Sequence, residues 1–372
     1  MYSMLRRVDV NLGPRAYPVL VGSGCLSELG TRIRERGLEH DHAMILTDHA
    51  VGGLYGEAAT EALASAGFQK IVRHTIPVSE EAKNWEEFTH ACEAMLTHFP
   101  DAGSTPLVIL LGGGVVGDLG GFAAAVYRRG VPFVQVPTTL LSAVDSSVGG
   151  KVAVNFGGVK NIMGAFSQPR LVLCDLHALH SLPDRELRSG VAEVIKYGAV
   201  CNGTLFEDLE AGGLERVLSR DRDALVDVVT RCIQLKAAVV EQDEFDQLGI
   251  RNVLNFGHTI GHALELSAAY ELTHGEAVSV GMIAASRIAL RLGVCPEDVP
   301  RRLESLVGRA GLPVSYPGHE GLFEVVLKAL QLDKKFRNGK NLFVLPRQIG
   351  TWCPRENVDW GLIHEVIRDV IR

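Results

Sequence analysis

The sequence predicts an N-terminal α/β domain followed by a mostly α-helical C-terminal domain. Before residue 180, short runs rich in β-branched residues alternate with amphipathic stretches, a pattern typical of α/β layers. After Pro183 the strand signals almost vanish and long helical periodicities dominate. With 372 residues the chain is long enough for two domains. We therefore expect domains at 1–180 and 181–372, with an active site in the cleft between them, where pockets tend to form.

Strands and helices alternate through the first domain. The first two strands flank a turn at Gly13-Pro14, and the others are short apolar runs separated by helical periodicities. The predicted strands are 7–12, 17–21, 43–47, 71–77, 107–111, 133–136 and 171–174, and the helices between them include 51–66 and 80–97. In the second domain, apolar residues recur with the period of an amphipathic helix. Its predicted helices are 185–196, 224–241, 255–266, 277–292 and 322–330, with one late strand at 341–345.

A glycine-rich segment follows the strand at 107–111 and opens a helix. The glycines of 112–117 match the spacing Gly-x-Gly-x-x-Gly, in which backbone amides approach a pyrophosphate at a helix N-terminus. Three consecutive glycines and the following Asp118 differ from the standard dinucleotide turn, so a tight turn without a ligand is the alternative. Hydroxyls at Thr138-Thr139, where the next strand ends, favour the nucleotide. We therefore expect a Rossmann-like, nucleotide-binding domain.

Ionisable side chains that can bind metals stand in apolar segments of the second domain. Glu193 and Lys196 are three apart, and His258 and His262 are four apart, so each pair projects from one face of its helix. His274 follows in a short polar break. Burying such groups unpaired would cost several kcal/mol, so we expect them to have partners or a ligand.

The best set of metal ligands is Glu193, His258 and His274. Two imidazoles and one carboxylate suit a borderline cation such as Zn²⁺, and three protein ligands leave a coordination position open, as in catalytic sites. The alternative is that these side chains are surface groups of helices or satisfied polar groups of the core. The spacing of a metalloprotease is present, but that motif requires Glu directly after the first His, where Thr259 stands.

Basic and amide side chains lie in Gly-rich or apolar segments of an otherwise acidic chain. One such lysine is normally a solvated surface charge, but several in weakly polar contexts indicate an anionic ligand, such as a phosphate or a carboxylate. Amide side chains could bind hydroxyls of the same ligand. The basic residues are Arg129, Lys151, Lys160, Lys196, Lys236, Arg251, Lys334 and Lys335, and the amides are Asn155, Asn161 and Asn255.

Composition argues against several classes of protein. The formal charge of −7 argues against nucleic acid, where a basic face is expected. No apolar run approaches the roughly 20 residues of a membrane span, and no signal-peptide core precedes the first strand. The seven cysteines are odd in number and form no Cys-x-x-Cys pair, which argues against a disulfide framework or a thiolate zinc site. We expect a cytoplasmic protein without nucleic-acid or membrane partners.

Long ordered motifs run nearly from end to end of the chain. They include Gly112-Gly-Gly-Val-Val-Gly-Asp118, Gln135-Val-Pro-Thr-Thr-Leu-Leu141, Val144-Asp-Ser-Ser-Val-Gly-Gly-Lys151, Lys160-Asn-Ile-Met-Gly-Ala-Phe166, Glu186-Leu-Arg-Ser-Gly-Val-Ala-Glu-Val-Ile-Lys-Tyr-Gly198, Leu254-Asn-Phe-Gly-His-Thr-Ile-Gly-His262, His274-Gly-Glu-Ala-Val278 and Asp333-Lys-Lys335. In these motifs the sequence resembles the 3-dehydroquinate synthases, which belong to the sugar phosphate cyclase superfamily.

This resemblance implies an enzyme of the shikimate pathway, which leads to the aromatic amino acids. The substrate would be 3-deoxy-D-arabino-heptulosonate 7-phosphate, a small sugar phosphate, and the products 3-dehydroquinate and phosphate. The implied steps are transient oxidation by NAD at C5, β-elimination of phosphate, re-reduction, ring opening and intramolecular aldol closure. The implied cofactors are NAD and Zn²⁺, with Co²⁺ as an alternative metal, and the implied assembly is a homodimer.

The resemblance also implies a role for each matched position. Zn²⁺ would be held by Glu193, His258 and His274. The phosphate would be bound, or helped to depart, by Lys151, Asn155, Arg129 and His262. The carboxylate and the other anionic groups would be held by Lys236, Arg251 and one of Lys334 and Lys335. Asn255 would contact substrate hydroxyls, Lys196 would stand beside Glu193, and Asp145 would bridge NAD and the reacting hydroxyl. NAD would contact Asp48, Glu80, Lys83, Gly114, Val115, Val116, Gly117, Asp118, Thr138, Thr139, Lys151, Lys160 and Ser181.

Two other activities are alternatives. A cyclase acting on sedoheptulose 7-phosphate or glucose 6-phosphate would share the fold, the metal and NAD, but Lys236, Arg251 and Asn255 favour a substrate that has a carboxylate. A metal-dependent polyol dehydrogenase would share the two-domain layout, but such an enzyme needs no phosphate-binding residue such as Lys151.

Overall fold

The computed structural model describes residues 5–77, 79–268, 271–318, 321–332 and 341–371. The chain divides into two units, of which the first is Met1–Leu182 with Leu225–Phe245 and the second is Pro183–Ala224 with Asp246–Arg372. The first change of unit thus falls close to residue 180, where the composition changes. The return of the chain to the first unit at Leu225 has no counterpart in the sequence pattern.

Nine strands are described in the first unit, and seven of them form one sheet. The strands are β1 (Arg6–Val10), β2 (Tyr17–Gly22), β3 (His42–Asp48), β4 (Lys70–Ile76), β5 (Leu107–Gly112), β6 (Phe133–Pro137), β7 (Lys151–Phe156), β8 (Val159–Phe166) and β9 (Leu171–Asp175). The sheet has the order β1-β2-β9-β6-β5-β3-β4, and every pairing except β1 with β2 is parallel. It contains all seven strands predicted for this half of the chain.

Helices cover both faces of this sheet, because its central strands are apolar on both sides. The α-helices before residue 182 are α1 (Leu29–Glu35), α2 (His49–Ser65), α3 (Trp85–His98) and α4 (Gly114–Val126). Met44 and Leu110 pack in one core cluster with residues of α3 and α4, while their neighbours Ile45 and Ile109 pack in another with residues of α1 and α2. The alternation along each strand therefore produces two cores, one on each face.

The strand order creates a crevice at the carboxyl ends of β3 and β5. From β3 the chain moves outward to β4 and then returns past β3 to β5, so the strand order reverses between β3 and β5. In open α/β sheets, ligands bind at this reversal point. Asp48 ends β3 and Gly112 ends β5, which places the glycine-rich segment at the expected edge of the sheet.

The hairpin of β7 and β8 was not predicted from the sequence. Most side chains of β8 are exposed, so the strand lacks the apolar alternation of a half-buried strand. The turn residues Gly157 and Gly158 have φ values of 59° and 76°, as a two-residue hairpin turn requires. A Gly-Gly pair between two extended runs was the available signal.

The second unit is mainly helical. The helices after α4 are α5 (Asp184–Val200), α6 (Gly203–Asp208), α7 (Leu214–Leu218), α8 (Arg222–Gln242, most of which belongs to the first unit), α9 (His258–Ser267), α10 (His274–Arg291), α11 (Asp298–Arg309), α12 (Leu322–Leu332) and α13 (Trp360–Val370). The strands β10 (Leu342–Gln348) and β11 (Thr351–Glu356) pair with each other. Of these elements, α6, α7, α11, α13 and β11 were not predicted. In the described part of the chain, no helix is long and apolar enough to cross a bilayer.

Capping residues set where several helices begin. The predicted helix at 80–97 begins only at Trp85, because the Asn84 side chain accepts a hydrogen bond from Glu87 N and caps the helix. The predicted helix at 277–292 begins earlier, at His274, because Thr273 and Glu276 form a capping box.

Glycines allow the helices of the second unit to approach closely. A Cβ atom on Gly281 in α10 would lie 1.9 Å from the carbonyl oxygen of Gly257, which directly precedes α9. A Cβ atom on Gly275, also in α10, would lie 2.1 Å from the carbonyl oxygen of Ser189 in α5. No side chain fits at such distances, so these glycines bring α5, α9 and α10 together.

Candidate metal centre and cofactor site

Glu193, in α5, is fully buried and faces two imidazole rings. Its Oε1 atom lies 3.5 Å from Nε2 of His258 and 3.5 Å from Nε2 of His274. One ligand atom from each of the three side chains lies within 4.8 Å of the other two. Its other oxygen, Oε2, contacts the Nζ atom of Lys196. A fully buried carboxylate needs cationic partners, and the set of one carboxylate and two imidazoles suits Zn²⁺.

Three elements place these ligands at well-defined positions. Glu193 lies in the apolar middle of α5, where all its neighbours from Val191 to Val200 are buried. His258 is the first residue of α9, directly after Gly257, which has a φ of 79°. His274 is the first residue of α10, held by the capping box. The ligands are therefore carried by helices rather than by loops, which limits their movement.

A backbone carbonyl orients His258. Its Nδ1 atom lies 3.0 Å from the carbonyl oxygen of Phe256. Because that oxygen can only accept, Nδ1 carries a proton, and Nε2 is the nitrogen that faces Glu193. His258 therefore presents the nitrogen that a metal ion needs.

Two cationic groups balance the charge of Glu193. Lys196 is 1% exposed, and its Nζ contacts Glu193 Oε2 and donates to the carbonyl oxygen of Leu254 at 2.9 Å. Burial lowers the pKa of His274, but the carboxylates of Glu193 and Glu265 raise it more, to about 10. Without a metal, both ring nitrogens of His274 are therefore protonated at neutral pH, and a metal ion that binds the ring must displace one of these protons.

Three further predicted site residues of the second unit lie in α9 or in the short helix that precedes it. His262 follows His258 by one turn of α9, and its ring centroid lies 5.1 Å from that of His258 and 5.9 Å from that of His274. Arg251 and Asn255 lie in the short 3₁₀-helix Ile250–Asn255, which precedes α9. Arg251 is buried and Asn255 is half-buried. Lys334 and Lys335 lie outside the described residues.

Glu265 was not predicted as a site residue, although its Oε2 atom lies 3.5 Å from Nδ1 of His274. His258, His262 and Glu265 have the spacing i, i+4, i+7 of one helix face. A single acidic residue on the buried face of α9 was the available signal, and it becomes informative only once the partner His274 is known.

In the first unit, the glycine turn and the Thr138-Thr139 pair lie at the carboxyl ends of β5 and β6. Gly113 caps α4, and the amides of Gly114, Val115 and Val116 at its start have no acceptor within the helix. A Cβ atom on Gly113 would lie 2.9 Å from Thr139 Cγ2, so the turn leaves no room for a side chain. Thr138 Oγ1 is buried and has no hydrogen-bond partner among the described residues. The glycine turn and this hydroxyl fit a pyrophosphate-containing cofactor.

Several predicted NAD and phosphate residues contact one another. Lys83, which is 4% exposed, forms an ion pair with Asp118. Burial raises the pKa of Asp118, and the Lys83 ammonium opposes part of that rise. Glu80 Oε1 lies 3.7 Å from Nζ of Lys160 and accepts a hydrogen bond of 3.4 Å from Asn155. The β7–β8 hairpin thus joins the segment 80–83 in one polar cluster.

The other predicted residues of the first unit are more dispersed. Lys236, in α8, is buried, contacts the Asp145 carboxylate and donates to the Asp145 carbonyl oxygen at 2.6 Å. Asp48 ends β3, where it caps α2 through Val51 N at 2.8 Å. Ser181 Oγ lies 2.8 Å from Tyr55 Oη. Lys151 begins β7 and is exposed, and Arg129 is exposed in a left-handed turn with a φ of 68°.

Comparisons with known proteins show the family. The family models described as 3-dehydroquinate synthase N-terminal and C-terminal match residues 73–189 and 190–336. The 3-dehydroquinate synthases of Pelobacter propionicus and Desulforamulus reducens are 46% and 45% identical to the chain, over 92% of it and 94% of each relative. A structure of 2-epi-5-epi-valiolone synthase from Streptomyces hygroscopicus, with NAD⁺ and Zn²⁺ bound, has a TM-score of 0.84 and 30% identity, covering 95% of this chain and 96% of that chain. The chain belongs to the 3-dehydroquinate synthase family.

Proposed function

We propose that the protein is a 3-dehydroquinate synthase, which converts 3-deoxy-D-arabino-heptulosonate 7-phosphate into 3-dehydroquinate and phosphate in the shikimate pathway. The observation that carries the proposal is the buried Glu193 carboxylate, which faces the Nε2 atoms of His258 and His274. Relatives that bear this enzyme's name are 45% and 46% identical to the chain, whereas the valiolone synthase is 30% identical. The heptulosonate phosphate is therefore preferred over the substrates of neighbouring cyclases.

The metal-binding residues would be Glu193, His258 and His274, holding Zn²⁺ or Co²⁺. A bound metal would polarise substrate hydroxyls and stabilise negative charge that develops on oxygen. Three protein ligands leave coordination positions for substrate oxygens. Lys196 would hold Glu193 in place through the contact with its Oε2 atom.

The NAD-binding residues would lie in the first unit. The first turn of α4, Gly114 to Asp118, would contact NAD, with the backbone amides at its start binding the pyrophosphate, assisted by the hydroxyls of Thr138 and Thr139. Bound NAD would supply reversible hydride transfer, so that the whole reaction has no net oxidation. The remaining contacts would come from Asp48, Glu80, Lys83, Lys160 and Ser181.

The remaining basic and amide residues would bind the charged groups of the substrate. The phosphate would be held by Lys151, Asn155, Arg129 and His262, whose positive or donor groups lower the free energy of a departing phosphate. The carboxylate would be held by Lys236, Arg251 and one of Lys334 and Lys335. Asn255 would donate to substrate hydroxyls, and Asp145, in contact with Lys236, would accept a hydrogen bond from the reacting hydroxyl.

Phosphate release tests the proposal. Purified protein with Zn²⁺ and catalytic amounts of NAD is expected to release phosphate from the heptulosonate phosphate without a lasting change in absorbance at about 340 nm, because the hydride returns to the substrate. Sedoheptulose 7-phosphate, glucose 6-phosphate and simple alcohols serve as competing substrates. Phosphate release only from another sugar phosphate would assign the protein to a neighbouring cyclase. Steady NADH accumulation with an alcohol would indicate a dehydrogenase.

A homodimer is the proposed assembly, with the β7–β8 hairpin as the contact surface. Five large apolar side chains of this hairpin are between 37% and 52% exposed, and together they form an apolar surface of the kind that contacts another chain. They are Phe156, Val159, Ile162, Met163 and Phe166.

We further propose a cytoplasmic location. All seven cysteines lie among the described residues and none is in a disulfide, which is consistent with a reducing compartment.

An Ile162→Lys variant tests the dimer. The lysine places a charge in the proposed apolar contact, so light scattering after size exclusion should show the wild type as a dimer and the variant as a monomer. Leu54→Lys is the matched control, since Leu54 is 61% exposed on α2. A monomeric wild type, or an Ile162→Lys variant that remains dimeric, would contradict this assembly.

A further inference from the structure

Glu265 is a buried carboxylate to which the roles above assign nothing. It is 5% exposed, and its Oε2 atom lies 3.5 Å from Nδ1 of His274. It shares a face of α9 with His258 and His262. Burying a carboxylate costs free energy unless a partner compensates for its charge, so its position beside a metal ligand calls for a functional explanation.

We propose that Glu265 is a positioning residue for His274. Its carboxylate accepts a hydrogen bond from the Nδ1–H group of His274 and so leaves the Nε2 lone pair for the metal. This role rests on one part of the proposed function, namely that Glu193, His258 and His274 bind a metal ion. In the metal-bound form, the ring has one proton and one metal-binding lone pair. An ionised carboxylate beside Nδ1 selects the arrangement in which Nε2 is the ligand.

The need for such a residue follows from the position of His274. It stands at the first position of α10, and its side chain is 26% exposed, so helix packing alone does not hold the ring. His258, by contrast, is oriented by the carbonyl oxygen of Phe256 at 3.0 Å. A carboxylate is a stronger acceptor than a carbonyl group. Glu265 would therefore also increase the electron density that His274 donates to the metal.

A different role for Glu265 is as a ligand itself. His262, Glu265 and His274 also offer ligand atoms that lie within 4.8 Å of one another, as a second metal site would require. In that site His274 would use Nδ1, whereas the site with Glu193 uses Nε2. A neutral imidazole has one lone pair, so the two sites could be filled together only if the ring lost both protons. This requirement favours the positioning role.

Metal affinity of Glu265 variants tests the inference without substrate. Co²⁺ titrations in competition with a chelator should show one tight ion per wild-type chain. We expect about 10- to 100-fold weaker binding in Glu265→Gln and Glu265→Leu, as is typical when the partner of a ligand is removed. Glu265→Gln should retain more affinity than Glu265→Leu, because its amide oxygen can still accept a hydrogen bond from Nδ1–H. Glu271→Gln, at an exposed position three residues before His274, is the matched control and should bind as the wild type.

The protonation of the ring provides a second readout, which a merely structural role would not alter. In the zinc-loaded wild type, long-range ¹H–¹⁵N spectra should show His274 with a protonated Nδ1 and a metal-bound Nε2. In the Glu265→Leu variant, His274 should no longer show only a protonated Nδ1 with a metal-bound Nε2. Glu265→Gln, whose side chain is close to glutamate in size and shape, provides the comparison if the leucine variant folds poorly.

Two results would overturn the inference. One is Co²⁺ affinity in both Glu265 variants equal to that of the wild type. The other is binding of two ions by the wild type and of one ion, at unchanged affinity, by the variants, which would make Glu265 a ligand of a second site. These titrations contain no substrate, so they test Glu265 independently of the proposed activity. A wild type that binds Co²⁺ tightly but releases no phosphate would contradict that activity, and the effect of Glu265 on metal affinity could still be measured.

Discussion

Replacement of His274 by Ala is expected to abolish tight metal binding and phosphate release together. The change removes one of three ligands, so metal affinity should fall by more than about 100-fold, because loss of a ligand's partner alone can cost that much. With the metal lost, the polarisation of substrate hydroxyls is lost too, and phosphate release should fall to background. Equilibrium dialysis with Zn²⁺ and a phosphate assay measure the two effects.

The His274→Ala variant should nevertheless fold. Alanine is well tolerated in helices, and the capping box of Thr273 and Glu276 remains. Lys196 still contacts Glu193, so the buried carboxylate keeps a cationic partner. In the presence of a chelator at neutral pH, the variant should therefore still unfold cooperatively, at a melting temperature below that of the metal-free wild type, because Glu193 and Glu265 lose the protonated His274.

A histidine outside the cluster provides the control. The ring of His364 in α13 contacts the rings of Phe323 and Trp360 rather than a carboxylate. His364→Ala should keep wild-type metal affinity and turnover. Retained turnover in His274→Ala would show that the metal has other ligands, and loss of the fold would show that His274 is mainly structural.

Replacement of Gly275 by Ala is expected to lower the free energy of unfolding strongly. The added Cβ would lie 2.1 Å from the carbonyl oxygen and 2.5 Å from the Cα atom of Ser189. These are backbone atoms of α5, so no side-chain rotation relieves the clash and the two helices must separate. Overpacking of this kind costs typically about 1–3 kcal/mol, and more where the backbone must move. Urea unfolding of the metal-free protein measures the effect without the contribution of metal binding.

The same substitution should weaken metal binding. Ser189 precedes Glu193 by one turn of α5, and Gly275 directly follows His274. Separation of the helices at this contact therefore moves His274 away from Glu193. Co²⁺ affinity should fall in Gly275→Ala although no ligand has been changed.

Gly308→Ala is the matched control for this substitution. Gly308 lies in α11 of the same unit, and a Cβ atom there would meet nothing within 4 Å. Alanine in an exposed helical position should raise the free energy of unfolding by about 0.4–1 kcal/mol. If Gly275→Ala were as stable as Gly308→Ala and bound Co²⁺ normally, the close approach of α5 and α10 would not be needed for the site.

Local sequence patterns were sufficient for most of the fold. The predicted order, an α/β domain followed by a mostly helical part, is confirmed, and all seven strands predicted for the first domain lie in its main sheet. These strands are short, apolar and bounded by turns, so their signals are local. Of the elements that escaped prediction, β8 is largely exposed, and burial periodicity carries no information where a strand is not buried. The helices α11 and α13 each bury an apolar face, so their periodicity was present in the sequence and was overlooked.

Candidate ligands could also be chosen from residue type and spacing. Glu193, His258 and His274 stood out as ionisable groups in apolar helices, and the structure brings these three side chains together. The direction of their nitrogen atoms could not be chosen in this way. It depends on the Phe256 carbonyl and on Glu265, which become neighbours of the rings only in the folded chain.

The amino-acid order thus specified the α/β and helical parts, the glycine turn and the candidate ligands, because apolar periodicity, turn chemistry and residue type are local properties. Folding in three dimensions was required for the pairing of Lys236 with Asp145, for the return of residues 225–245 to the first unit and for the contact of Glu265 with His274. The periodicity of a helix shows which face is buried but does not identify the element against which that face packs. Contacts between distant segments depend on the packing of whole faces, and close approaches such as that of Gly275 to Ser189 determine them.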